Sequence, residues 1–195
     1  MYVKINSFFF LLCFMIFSLT PDAFTQEIRE ESSLNYTYIG PVISYSQNTA
    51  KYRDWIDNET KTENVSGNSY TGGIDLKILA HNMCGDFQAK YSYSSYDTTL
   101  TCLEFILAGI YYYRFGDIFS LGGGLGLYME TPPSSSEHNG SAGLYFPLSA
   151  MFRTTNQTKF FINIFAKYGT FAVGEDTEFS SFGCSMGFIF RVGRI

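Results

Sequence analysis

Charge is scarce in this sequence. Asp, Glu, Lys and Arg make up 16% of its residues, where a soluble domain carries about 25%. The surface is short of what water-facing side chains need. A basic excess is also missing: the formal net charge is −5. Phosphate backbones demand clustered Lys and Arg, so nucleic acid is excluded as the main partner. Beyond the first residues, no apolar run approaches the ~18 to 20 residues of a spanning helix without charge or Gly interrupting it. That excludes an α-helical membrane protein. The cysteines number four and show no CxxC spacing, which argues against a disulfide framework and a zinc site. A phosphate loop is absent too. Gly122, Gly123, Gly124 and Gly126 are followed by no Lys-Ser or Lys-Thr pair, and close backbone packing explains them better.

Aromatics and glycine are abundant, with 20 Phe, 15 Tyr and 18 Gly. Aromatic side chains suit pleated surfaces, and Gly relieves crowding where chains approach closely. At the N-terminus, Lys4 precedes an apolar run over 8–19 that only Ser18 interrupts. This has the form of a secretory signal peptide over 1–25, followed by a short periplasmic segment over 26–33 and a barrel over 34–195. Cys13 sits inside the apolar run behind Leu11 and Leu12, without the small residue that lipid attachment requires. Cys84, Cys102 and Cys184 remain, most simply as small apolar residues on strands, with one pairing open.

From residue 36 onward the pattern has period two, the mark of strands with one apolar and one polar face. Eight strands are expected, over 36–47, 70–79, 87–96, 101–114, 118–130, 141–153, 160–171 and 179–192. In the fourth, Leu103, Phe105, Leu107, Tyr111 and Tyr113 alternate with Glu104, Ala108 and Arg114. Strands of this length exceed the ~5 to 6 residues usual in soluble sheets and cover the ~9 to 11 of a tilted membrane strand. The connections 80–85, 115–117 and 154–158 are short. Those over 48–69, 131–140 and 173–178 are longer and polar, while 97–100 is short. Short turns on one side and longer loops on the other suit an outer-membrane barrel with both termini periplasmic. The expected fold is all-β: an eight-stranded antiparallel up-and-down transmembrane β-barrel.

In such a barrel the apolar set faces lipid and the polar set fills a narrow lumen. The lumenal charges are then Asp75, Lys77, Lys90, Glu104, Arg114, Glu130, Arg153, Lys167 and Arg191. Each needs a partner, because a lone buried charge is costly. Tyr93, Tyr111, Tyr113, Tyr128, Tyr145 and Tyr168 are expected to form interfacial girdles. Pro41 and Pro147 each remove a ladder donor, which predicts a local irregularity at both.

The N-terminal signal, amphipathic strands and alternating connections make the chain similar to the small eight-stranded outer-membrane barrels of the OmpA transmembrane domain, OmpX and OmpW types. That resemblance implies outer-membrane lipid as surroundings and, for the OmpW type, a small channel or carrier of apolar solutes. Such barrels end in an aromatic residue read by the assembly machinery, whereas here Phe188 and Phe190 are followed by 191–195.

An eight-stranded interior is one that side chains just fill. The first expectation for function is therefore a structural or surface-interaction barrel. Its contact surface is the loop 48–69, where Tyr52 and Trp55 stand among acids and serve a host or surface ligand. A lipid-modifying hydrolase would use His138 with Ser134, Ser135 or Ser136 and Glu137. A triad confined to one Ser- and Pro-rich loop seldom holds its geometry, so no catalytic residue, metal or cofactor is expected.

Overall fold

The computed structural model describes residues 35–56, 59–95, 99–131, 140–171 and 178–194. Residues 1–25, expected as a signal peptide, and the segment 26–33 lie outside the described residues. Eight strands follow in order: β1 (Tyr36–Ile56), β2 (Glu59–Ala80), β3 (Met83–Ser95), β4 (Thr99–Phe115), β5 (Phe119–Thr131), β6 (Ser141–Arg153), β7 (Thr158–Phe171) and β8 (Glu178–Arg194). Each pairs antiparallel with its neighbour, and β1 closes on β8 from Tyr36↔Arg194 to Lys51↔Glu178.

Alternation along each strand sets the two faces. In β4, Leu107 and Tyr113 are 61% and 65% exposed, while Glu104, Ile106, Ile110 and Tyr112, of the opposite parity, are buried. One parity points into the barrel and takes nearly all of the buried polar residues, and the other points out.

The irregularities expected at proline are present. Between β1 and β8 the paired positions stop at Ile39↔Phe190 and resume in the same register at Val42↔Gly187. Between β5 and β6 they stop at Gly123↔Leu148 and resume at Gly126↔Tyr145. On their other sides both prolines pair regularly, Pro41 with Ile74 and Pro147 with Phe165. A residue without an N–H leaves one side of its strand short of a donor and the other untouched. The bulge at Thr37/Tyr38 between β1 and β8 has no proline to announce it.

The tight turns lie at one end. His81 and Asn82 join β2 to β3, with His81 in the left-handed region at φ 53°. Gly116, at φ 72°, opens the turn from β4 to β5, where a side chain would strain the backbone. Between β6 and β7, Thr155 Oγ1 accepts from the backbone N–H groups of Gln157 and Thr158 at 3.2 and 3.0 Å.

Two expectations are corrected. The stretch 48–69 is not a loop. It continues β1 and β2 as one ladder from Asn48↔Gly67 to Ile56↔Glu59. Polar residues fill most positions of both parities in this stretch, so no apolar row alternates against a polar one and the period-two signal disappears where strand pairing does not. The inner face is also not filled by the polar set alone. It carries Tyr38, Tyr112, Tyr128, Tyr145, Phe161, Phe165 and Phe179, all buried. Tyr128 and Tyr145 therefore leave the predicted girdle. Tyr128 has the parity of Gly126 and Glu130, and Tyr145 stands between outward Leu144 and Phe146. Gly126 makes room nearby. A Cβ there would stand 2.4 Å from the Leu107 carbonyl oxygen and 2.6 Å from the Ala108 Cβ.

Candidate functional site

The lumen holds two ionic clusters, and strand alternation delivers every member. Near the tight turns, β2 directs Asp75 and Lys77 inward and β3 directs Asp86 and Gln88, all fully buried. Lys77 Nζ lies 3.0 Å from Asp75 Oδ2 and 2.8 Å from Asp86 Oδ2. It also stands 4.4 Å from the Phe161 ring centre, on the opposite wall. Gln88 Nε2 donates to Asp86 Oδ2 at 3.1 Å. Alongside, the Tyr112 and Ser149 hydroxyls share a hydrogen bond of 2.7 Å.

The second cluster lies toward the other end. Glu104 of β4 takes Lys90 of β3 on Oε1 and Lys167 of β7 on Oε2, both at 2.6 Å. Lys167 reaches Glu130 of β5 at 3.2 Å, and Ser141 Oγ donates to the other Glu130 oxygen at 3.1 Å. Two lysines and two carboxylates balance there, while Lys77 meets two carboxylates in the first cluster. Above them runs a hydroxyl and amide layer. Asn48 donates to Ser69, whose hydroxyl is bonded to that of Ser94, and Ser44 is bonded to Thr71.

Six of the nine predicted lumenal charges are thus placed in the two clusters: Asp75, Lys77, Lys90, Glu104, Glu130 and Lys167. Three are not. Arg114 is exposed and donates to the His81 carbonyl. Arg153 donates to Asn156 in the β6–β7 turn. Arg191 stacks its guanidinium 4.9 Å from the Tyr36 ring. All three sit at strand ends beside the tight turns, where a long side chain reaches water while its stem stays on the barrel. Asp86 is the member that sequence reasoning missed. Reading 80–85 as turn put it outside any strand, yet Asp86, Gln88 and Lys90 share one parity.

The outer surface fixes the surrounding medium. At the turn end, outward rings contact one another across five strands. Tyr113–Phe115, Phe115–Phe119, Phe119–Phe152, Phe152–Phe160 and Phe160–Phe188 have centroids 4.9, 5.5, 5.0, 6.3 and 4.9 Å apart. Toward the other end Tyr70, Tyr91, Tyr93 and Tyr168 are exposed, with Tyr45 and Tyr70 rings 5.2 Å apart. Between these girdles lie exposed Leu103, Leu107, Leu125, Leu127 and Ile74. A groove of 510 Å³ has Phe87, Leu107, Leu127 and Met129 of this wall in its lining. An unbroken apolar band of this extent is untenable in water, and ring closure hides every strand edge within it from hydrocarbon.

Similar folds are known. Neisserial surface protein A is 11% identical, with 80% of this chain and 97% of that chain covered and a TM-score of 0.47. The attachment invasion locus protein Ail of Yersinia pestis, in complex with the heparin analogue sucrose octasulfate, is 15% identical, with coverage of 80% and 99% and a TM-score of 0.36. The outer membrane protein OprG of Pseudomonas aeruginosa is 15% identical, with coverage of 78% and 96% and a TM-score of 0.38. These are likenesses of fold alone. No family model and no curated protein matches the chain. The decision rests on the molecule's own build: an even number of antiparallel strands, tight turns at one end, and an apolar band between aromatic girdles around a polar interior. The chain is an eight-stranded antiparallel up-and-down transmembrane β-barrel.

Two further features belong to this barrel. Tyr52 and Trp55 lie on β1, opposite Glu63 and Thr60 of β2; their side chains fall outside the described residues. So do the residues of the hydrolase reading, 134–138. Cys84, Cys102 and Cys184 are free. Cys84 and Cys102 share the lumen but stand level with Ile110 and Ser92, far apart along the β3–β4 ladder. Cys184 is exposed on the outer wall. Disulfides need Cα atoms within about 7 Å, so the register forbids bonding among them.

Proposed function

We propose that the protein is a closed surface barrel that makes contact outside the membrane through its β1–β2 hairpin, with termini and tight turns on the periplasmic side. The observation that carries this reading is the contrast between a filled lumen and an overlong hairpin. Tyr38, Lys77, Tyr145, Phe161 and Phe179 are all fully buried inside the barrel, which leaves solute transport little room. β1 and β2 meanwhile run to 21 and 22 residues, about twice the ~9 to 11 that a membrane crossing uses. At ~3.3 Å per residue the surplus projects roughly 30 Å beyond the bilayer. This reading gives the chain no catalytic step and needs no cofactor.

Two measurements test it. In planar bilayers the purified barrel is expected to show no conductance above the lipid background; steady channel openings would instead favour the small-channel reading. For the hairpin, residues 51–64 are replaced by a short Gly-containing turn. Cells carrying the trimmed barrel keep the heat-shifted gel migration of a closed barrel. They lose retention on one another or on cultured-cell monolayers. Equal retention with and without the hairpin on both surfaces sinks the contact role.

A further inference from the structure

Among the described residues the hairpin runs past its neighbours on both sides, over 52–56 of β1 and, for the longer distance, over 59–67 of β2. β2 pairs with β1 from Glu59 onward, yet its ladder with β3 begins only at Asn68↔Ser95. Among the described residues, 59–67 meets no strand on its β3 side. Within the bilayer, barrel closure removes every edge; this one lies beyond it, with its N–H and C=O groups free to accept another strand.

The residues along that edge select which strand. They run Glu59, Thr60, Lys61, Thr62, Glu63, Asn64, Val65. Charges on an edge normally repel strand addition, because an unrelated strand leaves them without counterparts. A second copy of this sequence supplies those counterparts in one antiparallel register. We propose that the edge 59–65 pairs with the same edge of a second copy about a two-fold axis at Thr62. Lys61 then stands opposite the second copy's Glu63, Glu63 opposite its Lys61, and Thr62 opposite its Thr62. Opposite charges and Thr–Thr are favoured cross-strand pairs. Moving the axis to Lys61 sets Lys61 against Lys61 and Glu59 against Glu63. Moving it to Glu63 sets Glu63 against itself. Complementarity at one register and repulsion at its neighbours amounts to specificity.

Geometry then decides where the second copy sits. Two barrels in one membrane are related by an axis along the membrane normal, and both hairpins rise the same way. With strand tilts of about 35 to 45°, such edges cross at roughly 70 to 90° instead of running antiparallel. Opposed directions arise when the two barrels face each other from separate membranes. The hairpin is thus a device for joining two surfaces that carry the same protein. A single short edge pair is weak, and a membrane presenting many copies multiplies it. This inference rests on the hairpin being the outward contact element.

The test uses vesicles carrying the full barrel, scored by turbidity and by two-colour co-sedimentation. Wild-type vesicles are expected to cluster. Glu63→Lys vesicles lose clustering, because both charged cross-strand pairs about Thr62 then set ammonium against ammonium. Lys61→Glu vesicles lose it for the mirror reason, carboxylate against carboxylate. A mixture of the two variants restores opposite charges at both pairs and clusters again. Dispersed wild-type vesicles, undiminished clustering by Glu63→Lys, or a mixture that stays dispersed each overturn the pairing. Should wild-type vesicles stay dispersed while trimmed cells still lose retention on monolayers, the pairing falls and the contact role of the hairpin stands.

Discussion

Glu104→Gln lowers the stability of the barrel against urea, measured by unfolding from lipid vesicles, by about 3 to 5 kcal/mol. Glu104 is the only carboxylate within 4 Å of Lys90 among the described pairs and holds Lys167 on its second oxygen. The substitution keeps size and shape and removes the charge. Lys167 retains Glu130 at 3.2 Å. Among the described contacts Lys90 keeps the Ser44 hydroxyl at 3.4 Å and the Phe165 ring, 5.7 Å away, so its ammonium stays buried with no counter-charge in contact. Removing one partner of a buried pair costs more than removing both, because the survivor keeps its desolvation penalty. The double variant Lys90→Met with Glu104→Gln is therefore expected to recover part of the loss, leaving Lys167 and Glu130 as a balanced pair. A double-mutant cycle reads that coupling directly. If Glu104→Gln unfolds at the wild-type urea concentration, the cluster contributes nothing and the account of the lumen fails.

Leu107→Arg tests the other face and is expected to cost about 2 to 4 kcal/mol in the same assay, the depth-dependent penalty for Arg in mid-bilayer. Leu107 lies on the outer wall at 61% exposure and pairs with Phe87 and Leu127 on its two sides. In water an exposed Leu replaced by Arg would change little. In hydrocarbon the guanidinium must thin the bilayer or draw in water. Tyr93→Arg supplies the control. Tyr93 is outward too, but stands near the end of β3, where the same change costs ~0 to 1 kcal/mol. Equal, small effects at both positions would mean that the apolar rows do not meet lipid.

These two residues also mark how legible the chain was. Leu107 and Glu104 are three apart, and counting by twos from either assigns its face without a structure. The same count assigns Asp75, Lys77, Lys90 and Lys167 to the inner parity, and all four are buried. It failed where something other than parity governed. Arg114, Arg153 and Arg191 stand at strand ends, where height along the barrel and the reach of the side chain matter more than the face it starts from. Tyr128 and Tyr145 were misplaced by residue type against their own parity. Asp86 was lost because a two-residue turn at His81–Asn82 is tighter than composition alone suggests. The extension of β1 and β2 was hidden because polar residues fill most positions of both parities there.

Strand number, antiparallel order and the division into lipid-facing and lumenal rows follow from the sequence by itself, since each is encoded in neighbours two residues apart. Which charges meet does not. Lys167 of β7 lies 63 residues from Glu104 and touches it across the lumen. The meeting depends on the barrel's radius and on the stagger at which β1 closes on β8, and no local pattern carries either quantity. The open edge of β2 has the same origin. It exists because β3 ends at Ser95 while β2 continues to Glu59, and that mismatch becomes visible only once the strands stand side by side.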